Sequence, residues 1–131
     1  MHSKDTDGKV YVLGDVDRVR EHIDRELLAS NLESLRSFSS ALTRGLAHIA
    51  RTSEKLMRAE TIMAGGDDVL FEVQKAWYSE EMLVRIAEAF RAETGCTISF
   101  GIGETVPKAY LNLRRAKAAG GGQICSREVI L

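Results

Sequence analysis

A glycine pair followed at once by an aspartate pair, Gly65-Gly66-Asp67-Asp68, separates two short apolar runs. Glycine pairs suit the positive φ angles of tight hairpin turns. Glu60 to Ala64 and Asp68 to Val73 are therefore predicted to be the arms of a hairpin, with Val69, Phe71 and Val73 on one strand face. An earlier run, Val10-Tyr11-Val12-Leu13, has apolar residues at successive positions, as a buried central strand does. It ends in Gly14-Asp15-Val16-Asp17. Laid beside the hairpin, this strand brings Asp15 towards Asp67 and Asp68.

Between and after these strands the period changes. Val19, Ile23, Leu27 and Leu28 recur at helical spacing. Asn31 to Ala59 continues with Leu32, Leu35, Phe38, Leu42, Leu46, Ile49 and Leu56, and the break falls near Ser30-Asn31, both good N-cap residues. Gly45 inside this helix costs about 1 kcal/mol relative to Ala, which points to a small gap or close packing there. Ser79 caps a helix carrying Met82, Leu83, Ile86, Ala87 and Phe90, and Gly95 ends it. Cys96 to Gly101 reads as a strand. Pro107 opens a helix with Tyr110, Leu111, Leu113 and Ala116, stopped by Gly120-Gly121-Gly122. Strand character returns at Glu128 to Leu131. The order is strand, helices, hairpin, helix, strand, helix, terminal strand, which predicts one mixed sheet with helices packed on it.

The 131 residues suit one domain over 9–131, preceded by a flexible lead-in at 1–8. A hydrophobic share of 44% with 28% charged residues describes an ordinary globular chain. The net charge of −1 gives no footprint for a long polyanion, so no nucleic-acid template is expected. No apolar run approaches the roughly 20 residues of a membrane helix, so no membrane insertion is expected. Cys96 and Cys125 lack metal-type spacing and fit a reducing cytoplasm. His2, His22 and His48 share no metal spacing, Trp77 and Tyr78 read as packing or interface residues, and Gly101-Ile102-Gly103 lacks the rest of a phosphate loop.

The acidic residues carry the chemistry. Two like charges 4 Å apart repel by about 4 kcal/mol at an effective dielectric near 20. Clustering Asp15, Asp67 and Asp68 is costly unless a cation or a proton neutralises them. Hard divalent cations take carboxylate oxygens together with phosphates, and two such ions can activate a hydroxyl and stabilise leaving pyrophosphate. Asp15 and at least one of Asp67 and Asp68 are expected as ligands, with the Val16 carbonyl as a further one. The plainer alternative makes Gly-Gly-Asp-Asp a polar turn and Asp17 a helix cap.

On Gly14-Asp15-Val16-Asp17, Gly65-Gly66-Asp67-Asp68-Val69, Ser99-Phe100-Gly101-Ile102-Gly103 and Ala116-Lys117-Ala118-Ala119-Gly120, the chain resembles the nucleotidyl-cyclase palm domains. These include diguanylate cyclases with Gly-Gly-Asp-Glu-Phe motifs and the polymerase-like subunit of type III CRISPR effectors. The resemblance runs from Val10 to Ile124 and is nearest to the minimal CRISPR polymerase group. It implies an α+β fold, a ferredoxin-like palm with a mixed antiparallel sheet. It also implies two magnesium (or manganese) ions on Asp15, Asp67 and Asp68, which become the catalytic set. Gly65 and Gly66 then let a nucleotide approach the backbone, with Lys117 near the triphosphate. Asp17, Arg18, Val19 and Lys108 complete the expected nucleotide-binding residues.

The implied activity joins nucleoside triphosphates, ATP favoured, into a cyclic di- or oligonucleotide. A homodimer or higher oligomer is expected, and the product would act on a separate effector in antiviral signalling. Three departures stand out: Val69 follows Asp68 where diguanylate cyclases have Phe, Ile23 replaces a guanine-binding Asn, and Gly121 replaces a phosphate-binding Arg. Two other readings stay open: a nucleotide-binding sensor without turnover, and a cyclase that makes a cyclic mononucleotide.

Overall fold

A computed structural model of the chain describes residues 8–130. The expected lead-in lies outside them apart from Gly8, whose carbonyl accepts the Lys75 N–H at 2.9 Å. The elements are β1 (Lys9–Val16), α1 (Val19–Leu28), α2 (Leu32–Met57), β2 (Glu60–Gly65), β3 (Asp68–Gln74), α3 (Glu80–Thr94), β4 (Ile98–Gly103), α4 (Val106–Ala118) and β5 (Ile124–Cys125). The five strands form one sheet in the order β2-β3-β1-β4-β5. All neighbours are antiparallel except β4 and β5. The predicted mixed sheet with a central first strand is therefore present.

Side-chain alternation divides β1. Val10, Val12 and Val16 are buried, whereas Tyr11, Leu13 and Asp15 are only half-buried. The buried face joins Val69, Phe71 and Val73 of β3 and Ile98, Phe100 and Ile102 of β4. Phe38, Leu42, Leu46 and Ile49 of α2 and Leu83, Ile86 and Phe90 of α3 complete this core. Gly45 allows α2 its close approach to α3: a Cβ there would meet Phe90 and Thr94 at 2.8 Å. The other sheet face is covered by α4, which packs over β4 and β1. At Gly101 and Gly103 of β4, any side chain would run into the α4 backbone at Ala109 and Leu113.

Helix boundaries follow their caps. The Asn31 side chain accepts the Ser34 N–H at 3.1 Å, Ser79 accepts Met82 N–H at 3.2 Å, and Thr105 accepts Lys108 N–H at 3.3 Å. Gly95 closes α3 at φ 77°.

Two strand expectations are corrected. The strand expected over Cys96–Gly101 spans Ile98–Gly103 instead, because the Thr94 hydroxyl accepts Cys96 N–H at 3.1 Å and holds Cys96 in the turn. The terminal strand expected at Glu128–Leu131 is instead Ile124–Cys125, beside Phe100 and Gly101. Beyond it the tail is held irregularly: Asn112 donates to the Arg127 carbonyl at 2.8 Å and Arg115 to the Glu128 carbonyl at 3.3 Å. Val129 is buried, Ile130 is exposed, and Leu131 lies outside the described residues.

Candidate active site

The end of β1 and the start of β3 bring three carboxylates together. Asp15 stands opposite Asp68 in the antiparallel register, and Val16 N–H donates to the Asp67 carbonyl at 2.9 Å. Successive strand residues point to opposite faces, so Asp67 and Asp68 could not both reach Asp15 from a regular strand. Gly66 removes the conflict: at φ 63° it turns the chain so that Asp67 belongs to the turn and Asp68 to the strand. One oxygen from each of Asp15, Asp67 and Asp68 lies within 4.8 Å of the others.

This crowding shows in Asp68. Burial pushes its carboxyl up, the hydrogen bond with Asp15 and the charges of Asp67 and Asp15 push it further, and it reaches about 7. Three carboxylates that hold a proton this far above the usual carboxylate range form a donor set fit for a hard divalent cation, which would displace it.

Lys117, on the last turn of α4, lies against the same cluster. Its ammonium group contacts Asp15 Oδ2 at 2.9 Å and Asp17 Oδ1 at 2.7 Å, and donates to the carbonyls of Asp15 and Val16 at 3.2 Å each. A cation already rests among oxygens that include the expected Val16 ligand. Burial alone would lower the pKa of Lys117, but hydrogen bonds and charge from Asp15 and Asp17 outweigh it and hold the ammonium above its ordinary value.

Asp17 is buried rather than turned towards the cluster's open side. Besides Lys117, it accepts the Thr97 hydroxyl at 2.6 Å, the Ser99 hydroxyl at 2.7 Å and the Gly122 N–H at 2.8 Å. Burial alone would raise its pKa; these four donors overcome that and hold it below the usual range. In this arrangement Asp17 positions Lys117 and the glycine loop, and its oxygens are already satisfied.

A cleft of about 350 Å³ opens beside the cluster, lined by Val19, Arg20 and Ile23 of α1, Ser39 and Leu42 of α2, and Gly66 and Asp67 of the turn. The N-terminus of α1 is left open. Its N-cap, Arg18, has a left-handed backbone at φ 59° and makes no side-chain cap, whereas α2, α3 and α4 are each capped by a side chain. Unbonded amides at a helix start favour phosphate.

The minimal CRISPR polymerase domain matches residues 11–127. The chain belongs to this family. The fold agrees. A Csm1-Csm4 cassette in complex with one ATP superposes with a TM-score of 0.70 at 22% identity, covering 95% of this chain and 21% of that one. Csm1 in T. onnurineus gives 0.63 at 22% identity, over 88% of this chain and 20% of that one. The diguanylate cyclase SiaD from Pseudomonas aeruginosa, in complex with its activator SiaC, gives 0.60 at 22% identity, over 93% and 51%. This chain thus spans about a fifth of the Csm1 chains it matches. None of the curated proteins matches it.

Not every expected residue joins the acidic cluster or its cleft. Lys108 is corrected: it packs against Gly103, whose partner across the sheet is Tyr11, four residues before Asp15 and roughly 13 Å back along the strand. It lines a separate hollow with Lys75 and Tyr78. Gly65, Gly66, Val19 and Lys117 are brought to the acidic cluster or its cleft, and Arg18 stands at the open helix start. Ser39 and Leu42 were not among the expected site residues, since both sit on a helix read as core. The one available signal was Ser39 at the polar edge of that stripe, three residues before Leu42.

Proposed function

We propose that this chain is a magnesium-dependent nucleotidyltransferase that joins nucleoside triphosphates, ATP preferred, into a cyclic di- or oligonucleotide with release of pyrophosphate. The observation that carries the reading is the carboxylate cluster beside the adjoining cleft. Asp15, Asp67, Asp68 and the Val16 carbonyl would hold the ions. When bound, a divalent cation there lowers the pKa of an attacking hydroxyl and offsets charge on a leaving pyrophosphate.

The chain's own residues do the rest. Ile23 and Leu42 offer apolar surface for a base, and Ser39 offers one hydroxyl. Among the lining residues no Asn, Gln or Glu is present to read guanine, and the one carboxylate, Asp67, is committed to the cluster. That supports adenine. The open amides of α1, from Val19 onward, would accept phosphate oxygens, with the Lys117 ammonium on the far side of the cluster. Gly65 has nothing within 4 Å of where a Cβ would stand, so a nucleotide can lie against the turn's backbone.

The described residues present one such cluster, whereas joining nucleotides requires two nucleotides to meet there. A second copy presenting its own nucleotide meets that need, which supports a homodimer. The family and the Csm1 likeness support a role in antiviral signalling through a separate effector.

The test is product mass spectrometry with each nucleoside triphosphate and magnesium, against Asp67→Asn/Asp68→Asn. A cyclic adenine oligonucleotide made by the wild type and not by the variant is expected. Nucleotide binding without pyrophosphate release would establish a sensor instead, and a cyclic mononucleotide would establish the simpler cyclase.

A further inference from the structure

Behind the β1–α1 junction, on the side of α1 away from the nucleotide cleft, lies a second hollow of about 290 Å³. Arg18, His22 and Arg25 line it from α1 and its cap, and Arg91 from the last turn of α3. These positions on α1 are three to four residues apart and so share one helix face. All three arginines are exposed, and among the described residues none of them forms an ion pair.

The hollow's acids are Asp17 and Glu21. Asp17 is already matched by Lys117, which leaves Glu21 against three guanidinium groups. Three unpaired like charges around one concavity repel one another, so their convergence favours an anion. Arginine forks suit paired phosphate oxygens in particular. The backbone adds a second sign. Arg18 keeps φ 59° without being glycine, and strain of this kind persists where the surroundings enforce it.

The surroundings also connect the two sites. Arg18 belongs to the open start of α1, and Asp17 forms part of the hollow's wall while fixing Lys117 beside the acidic cluster.

We infer that this hollow binds a diphosphate group, through Arg18, Arg25 and Arg91. The choice of diphosphate over another anion rests on the nucleotidyltransferase reading. The same chemistry is offered by free pyrophosphate and by the β- and γ-phosphates of a nucleoside triphosphate.

The experiment is calorimetric titration of inorganic pyrophosphate into the full chain in excess chelator, where no cation bridges it to the carboxylates. Wild type and Asp67→Asn/Asp68→Asn should both bind one equivalent. Arg25→Glu/Arg91→Glu should weaken binding by about tenfold or more, with the milder Arg25→Gln/Arg91→Gln in between. An Arg36→Ala/Arg51→Ala control on α2 should bind as wild type does. Absence of metal-free binding, or affinity unmoved by either Arg25/Arg91 pair, overturns the inference whether or not the chain turns over nucleotides.

Kinetics then separate the two sources. A raised KM for the triphosphate at unchanged kcat identifies the substrate's own tail. Unchanged KM with loss of inhibition by pyrophosphate identifies the free anion. If neither changes although binding is weakened, the hollow takes no part in handling either source, and the assignment to diphosphate fails.

Discussion

Asp17 and Asp15 are two residues apart, yet their surroundings give them opposite tasks. Asp15 keeps an oxygen for the cluster, while Asp17 accepts from Thr97, Ser99, Lys117 and Gly122. Asp17→Asn would place an amide N–H₂ against donors and leave Lys117 short of a charge partner. The expected cost is about 2–3 kcal/mol of stability, because a buried hydrogen-bonded charge is being removed from its partners. Urea denaturation at neutral pH measures it, and a change under about 0.5 kcal/mol, the size of an ordinary surface substitution, would show that Asp17 does not organise this corner. Gly121→Arg offers a second check at this scale. Introducing an arginine there should cost about 1–3 kcal/mol and leave triphosphate binding no tighter, since a left-handed backbone and the Asp17 carboxylate both oppose it. Stability and nucleotide affinity are read on the same sample. Laying the first strand beside the hairpin brings Asp15, Asp67 and Asp68 together, because each sits where an apolar run meets a turn. They did not show which way Asp17 faced, because its partners lie some eighty and a hundred residues further along the chain.

Among the elements, β4 and α4 are joined most closely, and glycine sets the distance. Gly101→Ala would drive a methyl group into the α4 backbone at Ala109 and Leu113. Backbone cannot move aside as a side-chain tip does, so a loss of about 3 kcal/mol or more is expected, read by thermal melting or as insoluble chain. Gly65→Ala makes the contrast. It has open space and no positive φ, so stability should change by less than about 0.5 kcal/mol. Nucleotide turnover should nevertheless fall, because the added methyl would occupy the surface offered to substrate. A Gly65→Ala protein that melts early would refute the open-turn geometry. The same glycines explain what was legible. Helix periods, caps and the Gly-Gly turn are local signals, and the helices and hairpin follow them closely. The composition predicts a strand end at Gly101, whereas glycine continues the strand there beneath a helix. Val129 and Ile130 carry strand-like composition, but the pairing in β5 falls five residues earlier, at Phe100↔Ile124 and Gly101↔Cys125. Lys108 missed the site for a similar reason: Thr105 starts α4 at the end of the sheet remote from Asp15, and only Lys117 is carried back to it.

At the scale of the molecule, the strand order places the acidic cluster where β1 ends and β3 begins, and the whole fold resists its repulsion when no cation is present. Asp68 is raised to about 7 from an ordinary value of 3.8, so between these limits the folded chain holds a proton that the unfolded chain has released. Stability contributed by that proton is present below about pH 4 and is lost as pH rises through about 7. Asp17 has the opposite sign: its stabilisation is lost only as acid carries the pH below the ordinary carboxylate range, outside a pH 5–8 comparison. The metal-free protein should therefore be less stable at pH 8 than at pH 5. After discounting for the partial exposure of Asp68, the difference from this group is about 1–2 kcal/mol. Magnesium at pH 8 should recover that loss by binding the folded state alone, and more so as its concentration rises. Asp68→Asn should flatten the pH profile and remove most of the magnesium response. Differential scanning calorimetry of both proteins at pH 5 and pH 8, with chelator and with magnesium, measures all of these terms. A wild-type melting temperature that does not fall with pH in chelator would mean that the three carboxylates are not crowded in solution, and the argument for a cation among them would lose its electrostatic ground.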